Sequence, residues 1–172
     1  MATTYTLIAS NTLSSSAASV TFSAIPNTFT DLVLKVSART DRASTADALK
    51  ITINSDSTSL YSFTSLYGNG SNANSTRTSN TTAARAYYTD AANSTSDTFG
   101  NIEVYFPSYT TSANKVYSSF GAEEENSALA YLQVTSGLYR STSAITSLLI
   151  VPNLGSNFVS GSSFFLYGLL DS

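Results

Sequence analysis

Few residues in this chain are able to carry chemistry. Among 172 residues there is no histidine and no cysteine. That removes Ser-His-Asp and Cys-His nucleophilic catalysis, histidine proton transfer, and zinc held by thiolate or imidazole. Carboxylates remain. Glu103 sits inside an alternating stretch, and Glu123, Glu124 and Glu125 form the one run of charge. A pair drawn from these, facing each other across a sheet, is the arrangement of a glycosidase, whose carboxylate spacing selects retaining or inverting chemistry. The simpler expectation is that Glu103 is an exposed strand position and the triplet a solvated turn. Tryptophan, which would stack on a sugar ring, is absent.

Calcium is the metal whose ligands the chain does contain, because loop aspartates and asparagines supply hard oxygens. Asp41, Asp47, Asp56, Asp90 and Asp97 lie in or beside polar stretches, but none stands in the Asp-x-Asp-x-Asp-Gly spacing. No metal and no cofactor is therefore expected. Gly68-Asn69-Gly70 lacks the following Gly-Lys-Ser/Thr of a phosphate loop and reads as a turn. Arg39 and Arg42 stand near Asp41 and Asp47, either as a grip on a partner's carboxylates or as local surface pairing.

These groups must be positioned by strands. With 11% charged residues and a net charge of −3, the chain has no Lys/Arg cluster for phosphate, so nucleic acid is not expected as a partner. No apolar run approaches the roughly 18 residues of a membrane-spanning helix, and a membrane role is not expected either. The 32 Ser, 24 Thr and 13 Asn accompany regular apolar alternation, which points to strands and turns rather than disorder. A surface so poor in charge suits a protein packed against others.

The clearest alternation runs over 20–39. Val20 and Phe22 share one face, Pro26-Asn27 makes a turn, and Leu32, Leu34, Val36 and Ala38 oppose Lys35, Ser37 and Arg39. This predicts a half-buried β-hairpin whose register is held by its apolar face. Further strands are predicted over 4–9, 49–54, 60–67, 83–89, 98–107, 115–122, 128–139, 144–151 and 163–170. Gly137 is expected to mark a bulge or strand end. The stretch 68–82 reads as a long polar loop, and 90–97 as a second one. Tyr87 and Tyr88, adjacent on one strand, are expected on opposite faces. The last strand, with Phe165 and Tyr167 alternating with Phe164 and Leu166, is apolar on both faces, as in a strand central to a sandwich or covered by a neighbouring subunit. The expectation is one all-β domain over 1–172, a two-sheet antiparallel sandwich of about ten strands, with a jelly roll as the preferred version.

The opening Tyr5 to Ile8, Val20 to Pro26 and Asp31 to Leu34, together with the closing Phe164 to Gly168, resembles small virion structural proteins of tailed bacteriophages. The resemblance implies a jelly-roll module without enzymatic activity on the virion, either a head decoration (cement) protein or a tail or fibre component. For the first it implies a capsid-surface location, the major capsid protein as partner, and self-association as a homotrimer. Lys35, Arg39, Arg42, Glu123, Glu124, Glu125, Phe165 and Tyr167 are the expected subunit or capsid contacts. For the second, the loops of 68–97 would read a host-surface glycan.

Overall fold

The computed structural model describes residues 4–126 and 130–170. They form twelve strands: β1 (Tyr5–Thr12), β2 (Val20–Phe22), β3 (Asp31–Ala38), β4 (Ala46–Ile53), β5 (Tyr61–Gly68), β6 (Ala73–Thr81), β7 (Ala84–Asp90), β8 (Gly100–Phe106), β9 (Lys115–Glu123), β10 (Tyr131–Tyr139), β11 (Leu148–Pro152) and β12 (Ser163–Leu169). Among the described residues there is no helix. The fold is an all-β sandwich of two antiparallel sheets. One has eight strands in the order β1-β12-β3-β8-β9-β10-β5-β6, the other four in the order β2-β11-β4-β7.

The period-two apolar sets face each other between the sheets. Leu32, Leu34, Ile102, Val104, Phe106, Phe164 and Leu166 from the large sheet meet Leu49, Ile51, Ile53, Leu148 and Ile150 from the small one, all of them fully or almost fully buried. Burying each such side chain contributes about 1.5–3 kcal/mol, and a one-residue slip of any central strand would turn its whole set outward.

The predicted hairpin is not one. β2 pairs with β11 in the small sheet, whereas β3 lies between β12 and β8 in the large sheet. The Pro26 region is a corner between sheets, entered at Ala24 with φ 53° and held where the Tyr109 hydroxyl donates to the Pro26 carbonyl. Alternation specifies which face of a strand is buried but not which strand it pairs with, so both inward faces survived while the pairing did not.

Setting aside the hairpins β5-β6 and β9-β10, the remaining strands make two four-stranded sheets, β1-β12-β3-β8 over β2-β11-β4-β7. From β1 to β4 each successive strand changes sheet. The two hairpins then extend the large sheet past the small one. β6 replaces most of the expected loop at 68–82. Its first eight residues are exposed, so its Ser, Thr and Asn carry no apolar signal, and only the ladder to β5 makes it a strand.

β7, the edge of the small sheet, packs across β8, β9 and β10. The contact is close enough that a Cβ on Gly121 would lie 1.5 Å from the Tyr87 carbonyl oxygen. Gly137, predicted as a bulge, instead continues the β10 register without a shift; its absent side chain makes room for the Tyr117 ring, which a Cβ would meet at 1.9 Å. Of the strand predicted over 144–151 only the second half forms. The Asn54 amide takes up 144–147, accepting from the backbone N–H groups of Thr146 and Ser147 and donating to the Ala144 carbonyl.

Gly121→Ala is expected to lower unfolding stability by about 1–3 kcal/mol or more, since backbone rather than a flexible side chain must yield. Urea denaturation of the two proteins measures it.

Candidate functional site

Two regions gather the residues singled out by the sequence. The first is the outward face of the large sheet, where strand register aligns side chains in rows. Lys35 lies opposite Glu103 on one side and Phe165 on the other. Its ammonium is 3.1 Å from a Glu103 carboxylate oxygen and 5.2 Å from the centre of the Tyr5 ring. The hydrogen bond to Glu103 holds the Lys35 pKa above its ordinary value. Tyr5 packs edge-on to Tyr167 at 5.8 Å, and Phe165 lies 6.5 Å from Tyr167. Lys35, Phe165 and Tyr167 therefore form one outward cluster, brought together by the pairing of β3 with β12. Both members of the ion pair are nearly half exposed, so its worth is about 0–1 kcal/mol.

The same row continues through Glu103 to Phe120, Val134 and Leu66 on β9, β10 and β5. These three, with Val116 and Leu132, are 44–55% exposed. Alternation in β9 and β10 is visible in the sequence, but there the larger apolar residues fall on the face turned away from the small sheet. Ser119, Gln133 and Thr135 fall inward, beside the buried rings of Tyr117 and Tyr139.

The second region is that inward face under β7. Ser65 and Thr135 share a hydrogen bond of 2.8 Å, and the Gln133 amide donates to Thr135 at 3.3 Å. The Tyr87–Tyr88 peptide bond is cis, and the two rings lie 5.4 Å apart instead of on opposite faces. Tyr88 packs on Tyr131 at 4.2 Å and on Tyr67 at 6.0 Å, and burial pushes its hydroxyl up to about 12. Next to Tyr131 in register stands Glu123.

The glutamate triplet is not a solvated turn. Glu124 is exposed, but Glu123 and Glu125 are 3% and 2% exposed. Glu123 ends β9 on its inward face, opposite Tyr131 and beneath the small sheet, so a charged residue type at a strand end was carried into the interior by register. Among the described residues neither of its carboxylate oxygens has a hydrogen-bond partner. Burial, reinforced by the nearby charges of Asp90, Glu125 and Glu124, pushes its pKa up to about 8. Glu103 points outward from the same sheet, so the two carboxylates lie on opposite faces and do not form a facing pair.

Arg39 and Arg42 act within the chain. The Arg39 guanidinium donates to the carbonyls of Ala92, Ser94, Thr95 and Thr98, gathering the 91–99 loop. Arg42 donates to the Ala46 carbonyl at 2.7 Å and stands 3.9 Å from Asp47. The loop aspartates are likewise occupied by backbone donors. Asp41 accepts from the N–H groups of Ser156 and Asn157, and Asp47 from those of Ala48, Leu154 and Gly155. Asp56 accepts from Thr58 and from the Tyr139 hydroxyl. Among the described residues no three acidic side chains are grouped to hold a metal ion.

Folded Glu123 keeps its proton to about pH 8, whereas the unfolded chain releases it near pH 4.5. The folded state thus binds more protons in that interval, and stability falls as pH rises through it. The melting temperature is expected to drop between pH 5 and pH 9, and Glu123→Gln to remove at least about 2–4 °C of that drop, as followed by scanning calorimetry across pH. Neither a protein-family model nor a curated protein matches this chain.

Proposed function

We propose that the chain is a non-enzymatic structural protein of a tailed-phage virion, a head decoration protein that binds the shell surface and stabilises it, with the major capsid protein as its partner. The observation that carries this reading is the outward face of the eight-stranded sheet. It is broad and poor in charge, and exposed apolar side chains stand along it from Tyr5 and Leu7 on β1 to Leu66 on β5. Such a face favours burial against other protein over contact with water.

Strand order adds support from a second direction. The pairing β1-β12-β3-β8 over β2-β11-β4-β7 agrees with the jelly-roll version of the sandwich, an architecture common in viral capsid domains and also in lectins. Fold does not by itself decide function. The glycan-binding alternative depends on long loops within 68–97, and of the longer of these, 68–82, most is the strand β6. Lys35, Phe165 and Tyr167 remain the outward residues best placed for a capsid contact. Arg39 and Arg42 are assigned to the chain's own loops.

Purified protein added to undecorated capsids is expected to bind and to raise the temperature at which they rupture. Absence of binding with an unchanged rupture temperature overturns the decoration reading.

A further inference from the structure

We propose that the outward face of β5, β10 and β9 is a self-association surface, occupied in solution by the same face of a second copy of this chain. The proposal deepens the assembly reading above by naming a partner and the strands that meet it.

Register sets the surface out. Leu66, Val134 and Phe120 lie directly opposite one another on three adjacent strands, and Leu132 and Val116 flank that row on either side. All five are about half exposed, leaving on the order of 80 Å² each and roughly 400 Å² together, which is as large as the biggest apolar patch of an ordinary monomer. A stable interface needs about 800 Å² from each partner. The small uncharged side chains between and beside the five, among them the exposed Thr64, Ser118 and Ser136, extend the surface without adding charge to be desolvated.

Charge and shape favour a second copy over an unrelated partner. Among the outward side chains of β5, β6, β9 and β10 only Arg77 is charged, and it sits on the edge strand opposite Thr64. Between Arg77 and the Glu103–Lys35 pair the face is neutral, so two copies meet without repulsion and no opposite charge is needed to recruit them. Hollows of about 190 Å³ and 290 Å³ adjoin Leu66 and Val134. Projecting side chains and receiving hollows thus occur on one patch, as an isologous twofold contact requires.

Light scattering on the purified chain tests the inference without any shell, so failure to decorate capsids and failure to self-associate are separate results. The wild type is expected at about twice the monomer mass of 18.1 kDa. Val134→Glu, and independently Leu66→Lys, should return it to the monomer mass with an unchanged circular dichroism spectrum. Thr21→Glu, at an exposed position on the other sheet, should leave the doubled mass intact. A monomeric wild type overturns the proposal, as does any oligomer indifferent to both Val134→Glu and Leu66→Lys.

Discussion

An eight-stranded sheet faced by only four strands is the constraint on which the rest of this structure depends. Where the small sheet covers the large one, the interior is dominated by aliphatic and aromatic side chains set out with period two. Beyond β7, among the described residues, no further strand of the small sheet lies over β6. Along β9 and β10 Ser119, Gln133 and Thr135 face in beside the core rings of Tyr117 and Tyr139, while Val116, Phe120, Leu132 and Val134 face out. The result is an outward face on which large apolar side chains stand exposed.

β7 makes the junction possible. It is the last strand of the small sheet, and it lies against β9 so closely that Gly121 has no room for a side chain beneath the Tyr87 carbonyl. The tyrosines that follow close the gap over Tyr67 and Tyr131. The cost of the arrangement is polar burial: Ser119, Gln133 and Glu123 each keep an oxygen without a hydrogen-bond partner. An unpaired buried polar group costs about 1–3 kcal/mol, and Glu123 lowers that cost by retaining its proton.

Elsewhere ionisable residues serve the loops. Asp41 and Asp47 gather the backbone of 154–157 through its amides, and Arg39 gathers that of 91–99 through its carbonyls. Residue types that suggested calcium or a partner's carboxylate are therefore the means by which a cysteine-free chain, with no helix among its described residues, orders its long connections. Buried loop backbone must find donors and acceptors somewhere, and charged side chains supply stronger hydrogen bonds than neutral ones.

The sequence by itself determined the all-β class, the inward faces of β3, β4 and β8, and the exclusion of histidine and cysteine chemistry. Each follows from local period or from composition. Only tertiary structure decided that β2 and β3 belong to different sheets, because pairing is a long-range choice that alternation does not encode. It likewise decided that 73–81 is a strand, since a segment with nearly every side chain exposed carries no hydrophobic signal, and that Glu123 is buried while Glu124 is not. Neighbouring residues of one type were separated by strand register, which places successive side chains on opposite faces of the sheet.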